Sequence, residues 1–290
     1  MTRGEYQGRL RSFYDREEIA VACFNCRNRQ DCVRDAAPRL LTFGAEAHVG
    51  SRYGQVTRIV VVSLDARGDS HDLIKRQAVV EGLQGLNAHM RGTKRTLGAL
   101  LQGTGAGASP WPYFAMTNAA KCSGADDKGD KVPDSLYQRC RGFARDELSL
   151  LEPEVLIAQG VQARLLLAPL VPVPEPELAE AVAVLGVAGP SPVSTWVRAV
   201  GKKYVGLTRV GADDVVTIVT PHPSDRGGRW GTFELVGLPI ACWLVQQLLA
   251  VRHGRTAGDR SNHAAGAAGG LCGLEADGGS SSRAAAERER

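Results

Sequence analysis

Arg58-Ile59-Val60-Val61-Val62-Ser63 is a β-branched run that passes into the polar stretch Asp65-Ala66-Arg67-Gly68-Asp69. A continuous apolar run bounded by polar residues predicts a strand buried on both faces and running into a loop. Tyr113 to Asn118 repeats the pattern and leads into a polar segment with Lys121 and Cys122. Val155 to Ala158 predicts a third strand, turning at Gly160 into a helix over Val161 to Leu167. Tyr204 to Thr208 and Val215 to Val219 can pair across Gly211-Ala212-Asp213-Asp214, and the second delivers Thr220-Pro221-His222-Pro223-Ser224 at its C-terminal end.

Between these strands the period changes. Ile74 to His89 and Thr93 to Leu101 have helical character, the second stopped by Gly103, Gly105 and Gly107. Pro133 and Asp134 open a helix with Leu136, Cys140, Phe143, Ala144 and Leu151 on one face, ended by Pro153. The prolines from Pro169 to Pro192 predict an extended excursion around a short helix, and a last helix covers Leu235 to His253. The charged first 20 residues read as an irregular lead or short helix, and the Gly/Ala/Ser/Arg composition from Gly254 onward as a disordered tail. The expected organisation is a lead over 1–20, one domain over 21–253 and a tail over 254–290. Alternating strands and helices give a mostly parallel sheet, and such sheets bind ligands beyond the carboxyl ends of their strands. Three of those ends carry Asp65, Asn118 and His222.

Composition narrows the class. At 290 residues and 43% hydrophobic, the chain supports one sizeable α/β domain. Leu235 to Val245 is interrupted by Pro239 and falls well short of the roughly 20 apolar residues a bilayer requires, so no membrane span is expected. Arg3, Arg9 and Arg11 are followed by no apolar segment of the secretory type, and the reading is a cytoplasmic monomer. In that compartment seven cysteines suit metal or cluster ligation better than disulfides. Cys23, Cys26 and Cys32 share a polar stretch expected to be a loop or frayed helix, while the net charge of +4 implies little by itself.

Thr117-Asn118-Ala119-Ala120-Lys121-Cys122, Cys140, the stretch Leu148 to Ala163 and His222-Pro223-Ser224 follow one another in an order and spacing that resemble the iron–sulfur branch of the uracil-DNA glycosylases. There an Asn-x-x-Lys-Cys motif, a helical Cys, a Pro-x-Val-Ile-x-x-x-Gly-x-x-Ala strand and turn, and a late His-Pro-Ser/Ala succeed one another. The resemblance spans about residues 20 to 250. It implies a three-layer α/β/α sandwich with a central mostly parallel sheet, and a four-iron four-sulfur (4Fe-4S) cluster beside a DNA-binding groove. Cys122 and Cys140 match the two downstream ligands, and Cys23 with Cys26 fits the upstream Cys-x-x-Cys. Cys26 with Cys32 is the alternative pair, and four thiolates would also suit zinc.

The resemblance also implies roles. Asn118 matches the residue that reads the Watson–Crick edge of a flipped base, where an amide offers both a donor and an acceptor. His222 matches the donor that stabilises charge on the departing base, and Asp65 is nearest to the group that positions water or steadies the cationic sugar. Ser63-Leu64-Asp65-Ala66-Arg67-Gly68 replaces the family's Gly-Glu-x-Pro-Gly, and Asn87-Ala88-His89-Met90-Arg91-Gly92 stands where Pro-Phe-Val-Gly stacks the base, leaving His89 or Met90 to cover it. Ser224, Arg226 and Arg229, in a loop ending at Trp230, would meet DNA phosphates in the minor groove. The expected activity is removal of uracil or a related deaminated base from DNA, leaving an abasic site. Its rival is a protein of the same fold that binds nucleic acid or nucleotide without turnover.

Overall fold

The computed structural model describes residues 1–19, 26–35, 46–64, 87–122, 132–185, 191–225 and 228–254. Six strands, β1 (His48–Val49), β2 (Ile59–Ser63), β3 (Phe114–Asn118), β4 (Val155–Gln159), β5 (Val205–Val210) and β6 (Asp213–Thr220), form one sheet in the order β1-β3-β2-β4-β6-β5. The four inner strands are mutually parallel, and the outer two run antiparallel to their neighbours. Every residue of β2 and β4 is buried, as a sheet covered on both faces requires.

The described helices are α1 (Arg3–Glu17), α2 (Arg29–Asp35), α3 (Ala88–Leu100), α4 (Asp134–Leu151), α5 (Val161–Leu166), α6 (Glu175–Ala183), α7 (Pro192–Tyr204), α8 (Arg229–Thr232) and α9 (Leu238–Arg252). A π-helical turn over Phe233–Gly237 joins the last two. Because side chains alternate across a strand, each strand feeds two cores. Val60, Val62, Ala115, Leu156 and Ala158 pack with α1, α4 and α5, while Ile59, Val61, Phe114, Ile157 and Ile218 pack with α3, α6, α7 and α9. The molecule is thus mixed α/β, with helices on both faces of a mostly parallel sheet.

Several elements differ from the sequence reading. The N-terminal segment is a 15-residue helix closed by a capping box between Thr2 and Glu5. Its few apolar positions, Tyr6, Leu10, Phe13 and Tyr14, fall on one face and are buried, so a charged segment docks firmly without high hydropathy. Helix α3 runs unbroken through the place where two helices were expected to meet. The Asn87 side chain caps it by accepting from the Met90 N–H at 2.8 Å, which fixes the start at Ala88. Pro192 opens α7 rather than closing an extended excursion, with Ser191 as its cap. The stretch Arg229–Arg252 is long and apolar enough to cross a membrane by length and composition, but Ile240, Ala241, Leu244, Val245 and Leu248 are packed into the core. Residues 74–86 of the helix expected over Ile74 to His89, and the tail beyond residue 254, lie outside the described residues.

Candidate functional site

Parallel pairing brings the carboxyl ends of β3, β2, β4 and β6 to one edge, where they present Asn118, Ser63, Gln159 and Thr220. Ser63 is in register with Asn118 and Gln159 with Thr220. His222 follows two residues beyond β6, so Asn118 and His222 share the edge predicted to bind a ligand. A cleft of about 1320 Å³ opens there, lined by Ser63, Asn87, His89, Gly160, His222 and Ser224, with Arg164, Lys203 and Arg229 contributing positive charge. Asn118, partly buried, ends the neighbouring strand beside Ser63.

His222 is held in one tautomer. The Ser224 backbone N–H donates to Nδ1 at 3.2 Å and the Ser224 hydroxyl lies 3.1 Å from the same atom. A neutral ring that accepts at Nδ1 carries its proton on Nε2 and is a donor there. The backbone makes room for this ring at Gly160, whose φ is +91° and ψ 177°. That conformation belongs almost solely to glycine. A Cβ at Gly160 would come within 3.3 Å of the His222 Cβ and of the Leu64 side chain.

The second imidazole of the cleft, His89, stacks on His222 with centroids 4.9 Å apart and planes inclined by 21°. Its Nε2 lies 2.6 Å from Gln159 Oε1 and 3.1 Å from Ser63 Oγ. Gln159, fully buried at the end of β4, donates from Nε2 to Thr93 Oγ1 at 2.9 Å, and the Thr93 hydroxyl donates to the His89 carbonyl at 3.0 Å. Burial lowers the His89 pKa below 6.5, against a smaller opposing effect of the Gln159 hydrogen bond, so the ring is held neutral. Met90, one residue on and thus about 100° around the helix, is buried in the core rather than in the cleft. It does not cover a ligand there. Helix α3 approaches the His222 loop closely because Gly92 has no side chain: a Cβ would lie 2.4 Å from the Pro223 Cβ and 2.8 Å from the Trp230 ring.

Beside this edge, Cys26, Cys32, Cys122 and Cys140 are buried thiols lining one small cavity with Ile19, Lys121 and Phe143. They come from three separate stretches of chain. Cys32 lies on α2 and Cys140 on α4, and these helices are clamped by Arg139 to Asp35 at 2.7 Å, by Asn28 donating to the Arg139 carbonyl at 2.8 Å, and by Arg27 over the Phe143 ring. The Lys121 backbone N–H donates to Cys140 Sγ at 3.3 Å. Cys23 lies outside the described residues, whereas Cys32 joins the other three at the cavity. Among the described residues, no three His, Cys, Asp or Glu side chains converge as one bound ion would require.

Lys121 and Glu147, both buried, form an ion pair behind this cavity. Glu147 also accepts from the Thr117 and Tyr14 hydroxyls, and Lys121 Nζ donates to Thr117 Oγ1 at 2.5 Å. Burial and the Glu147 carboxylate push the Tyr14 phenol far up, so it remains a donor.

No known family model matches the chain, and no curated protein matches it. What the site can do rests on its geometry. The structure brings together His89, His222, Ser224 and Arg229 in the cleft, puts Asn118 on the same edge and gathers four cysteines at one cavity. Asp65 and Arg226 lie outside the described residues. Gln159, Ser63, Thr93, Lys121 and Glu147 were not anticipated as site residues. Their sequence signals are weak: a glutamine or serine at a strand end and a glutamate on a helix are ordinary until the partner is known.

Proposed function

We propose that this chain is a DNA glycosylase acting on uracil or a related deaminated base flipped out of DNA, with a 4Fe-4S cluster held by Cys26, Cys32, Cys122 and Cys140. The observation that carries the reading is the shared sheet edge: an amide, Asn118, and an imidazole locked as an Nε2 donor, His222, at the ends of parallel strands. Asn118 would read the Watson–Crick edge of the base. The His222 Nε2–H would donate to the base carbonyl as the N-glycosidic bond breaks, and one such donor is worth about 3–4 kcal/mol. Asp65, two residues past the end of β2 in sequence, would orient the attacking water or steady the cationic sugar. Arg164, Lys203 and Arg229 ring the cleft as phosphate partners.

The donor set at the cavity fits a cluster. Four buried thiols from three stretches of chain line one cavity, and thiolates are the ligands that iron–sulfur clusters take, as does zinc. Such a cluster would cross-link three distant segments and add negative charge that the Lys121 N–H and ammonium oppose. The test is incubation of purified protein with single- and double-stranded oligonucleotides bearing one uracil, hypoxanthine or xanthine, followed by alkali. Strand cleavage that His222→Ala reduces by about 100-fold or more supports the proposal; no cleavage with any base removes it.

A second reading is binding without turnover. Among the described residues lining the cleft, the one carboxylate is Asp225, held by Arg229 at 2.6 Å rather than turned to water. An oligonucleotide retained but never cut would favour it.

A further inference from the structure

We propose that His89 is the specificity-determining residue of the cleft: its ring, donating from Nε2 to Gln159, offers Nδ1 as an acceptor and selects ligands that present an N–H donor. This rests on reading the cleft as a nucleobase site and names the chemistry of the base edge that it takes.

The tautomer follows from a chain of hydrogen bonds. Gln159 Nε2 donates to Thr93 Oγ1, whose own proton goes to the His89 carbonyl one turn back on α3, leaving Gln159 Oε1 as an acceptor. The short contact from that oxygen to His89 Nε2 therefore requires the proton on Nε2, and Ser63 Oγ at 3.1 Å shares it. In this orientation of the Gln159 amide, the Thr93 hydroxyl, the His89 carbonyl and the His89 ring are all paired. With Nε2 spent, the ring's remaining hydrogen-bonding atom is Nδ1, and no described residue pairs with it. The ring cannot turn to offer anything else, because one face is stacked on His222 and α3 is seated against Pro223 and Trp230. Protonation of Nδ1 would make it a donor, but burial opposes the charge.

The two imidazoles thus present opposite faces to a ligand: His222 a donor, His89 an acceptor. A base with a carbonyl next to a ring N–H satisfies both. One whose ring nitrogen is an unprotonated acceptor leaves two lone pairs opposed, and a site built to hydrogen-bond an N–H discriminates strongly against its absence.

Replacing His89 by Asn or Gln separates the atoms. Asparagine puts a polar atom near the position of Nδ1 and loses the Gln159 anchor, whereas glutamine reaches the anchor and vacates Nδ1. Short single-stranded oligonucleotides carrying one central uracil or one 2-pyrimidinone, both as 2′-fluoro nucleotides so that no glycosidic bond breaks, are titrated by fluorescence anisotropy. The wild type is expected to prefer uracil, with its N3–H, by about tenfold or more, the equivalent of one hydrogen bond. His89→Gln should abolish the preference, and His89→Asn should retain most of it. A preference unchanged in His89→Gln, or lost equally in both variants, overturns the role of His89 while leaving the nucleobase reading intact. If neither oligonucleotide binds the wild type more tightly than an abasic control, the nucleobase reading itself fails.

Discussion

Lys121→Met removes one partner of an ion pair that water cannot reach, since Lys121 is 1% and Glu147 0% exposed. The carboxylate would keep only the Tyr14 and Thr117 hydroxyls as donors. Breaking a buried pair from one side destabilises by about 3–5 kcal/mol, because a charge remains buried without its counterion. In a domain of this size each kcal/mol shifts the melting temperature by about 2–4 °C, so a fall of roughly 6–20 °C is expected. Adding Glu147→Gln removes the orphan charge and leaves an amide whose oxygen accepts from the Tyr14 hydroxyl while its N–H donates to Thr117 Oγ1, which Lys121 no longer occupies. The double variant should recover most of the loss. Urea unfolding followed by circular dichroism in low and high salt measures this, and the deficit of Lys121→Met should change little with salt, because buried charges are poorly screened. A single variant within about 1 kcal/mol of wild type, or a double variant no better than the single, would refute the reasoning.

Gly92→Ala places a methyl group against Pro223 and Trp230; overpacking of this kind costs about 1–3 kcal/mol, and it should lower both the melting temperature and uracil-oligonucleotide binding by shifting the His222 loop. Because burial holds the His89 pKa below its unfolded value of 6.5, the unfolded chain takes up the proton first; stability present in full above pH 6.5 should fall as the pH drops below it, with a shallower slope in His89→Gln when melting temperatures are compared across pH. Cys26→Ser, Cys32→Ser, Cys122→Ser and Cys140→Ser should each reduce iron and sulfide per chain, while Cys242→Ser, in the opposite core with its thiol pushed up by burial, should not. Arg229→Ala should weaken oligonucleotide binding nearly uniformly across sequences and reduce the salt slope by about one, as loss of one phosphate contact does.

The inner sheet was legible because parallel strands covered on both faces must be continuous apolar runs, and Ile59–Ser63, Phe114–Asn118 and Val155–Gln159 are such runs. The ends of Phe114–Asn118 and of Asp213–Thr220 then put Asn118 and His222 on one edge. Helix α1 was obscured because four apolar residues suffice to dock it, and its charged remainder dominates any window. Helix α7 was obscured because Pro192 closes a proline-rich stretch in sequence yet occupies the first turn of a helix in space. Nothing local distinguishes Gln159 from any residue leaving a strand: its role exists only once α3 brings His89 and Thr93 against it. The same holds for Cys32, which joins the other three cysteines only through the packing of α2 on α4.

At Gly160 the His222 side chain rests against main chain, with the Gly160 N–H tied to the Thr220 carbonyl at 2.9 Å. A shelf of peptide groups anchored at the junction of two adjacent strands has no rotamers to exchange, so on that side the imidazole gives way only if the sheet does.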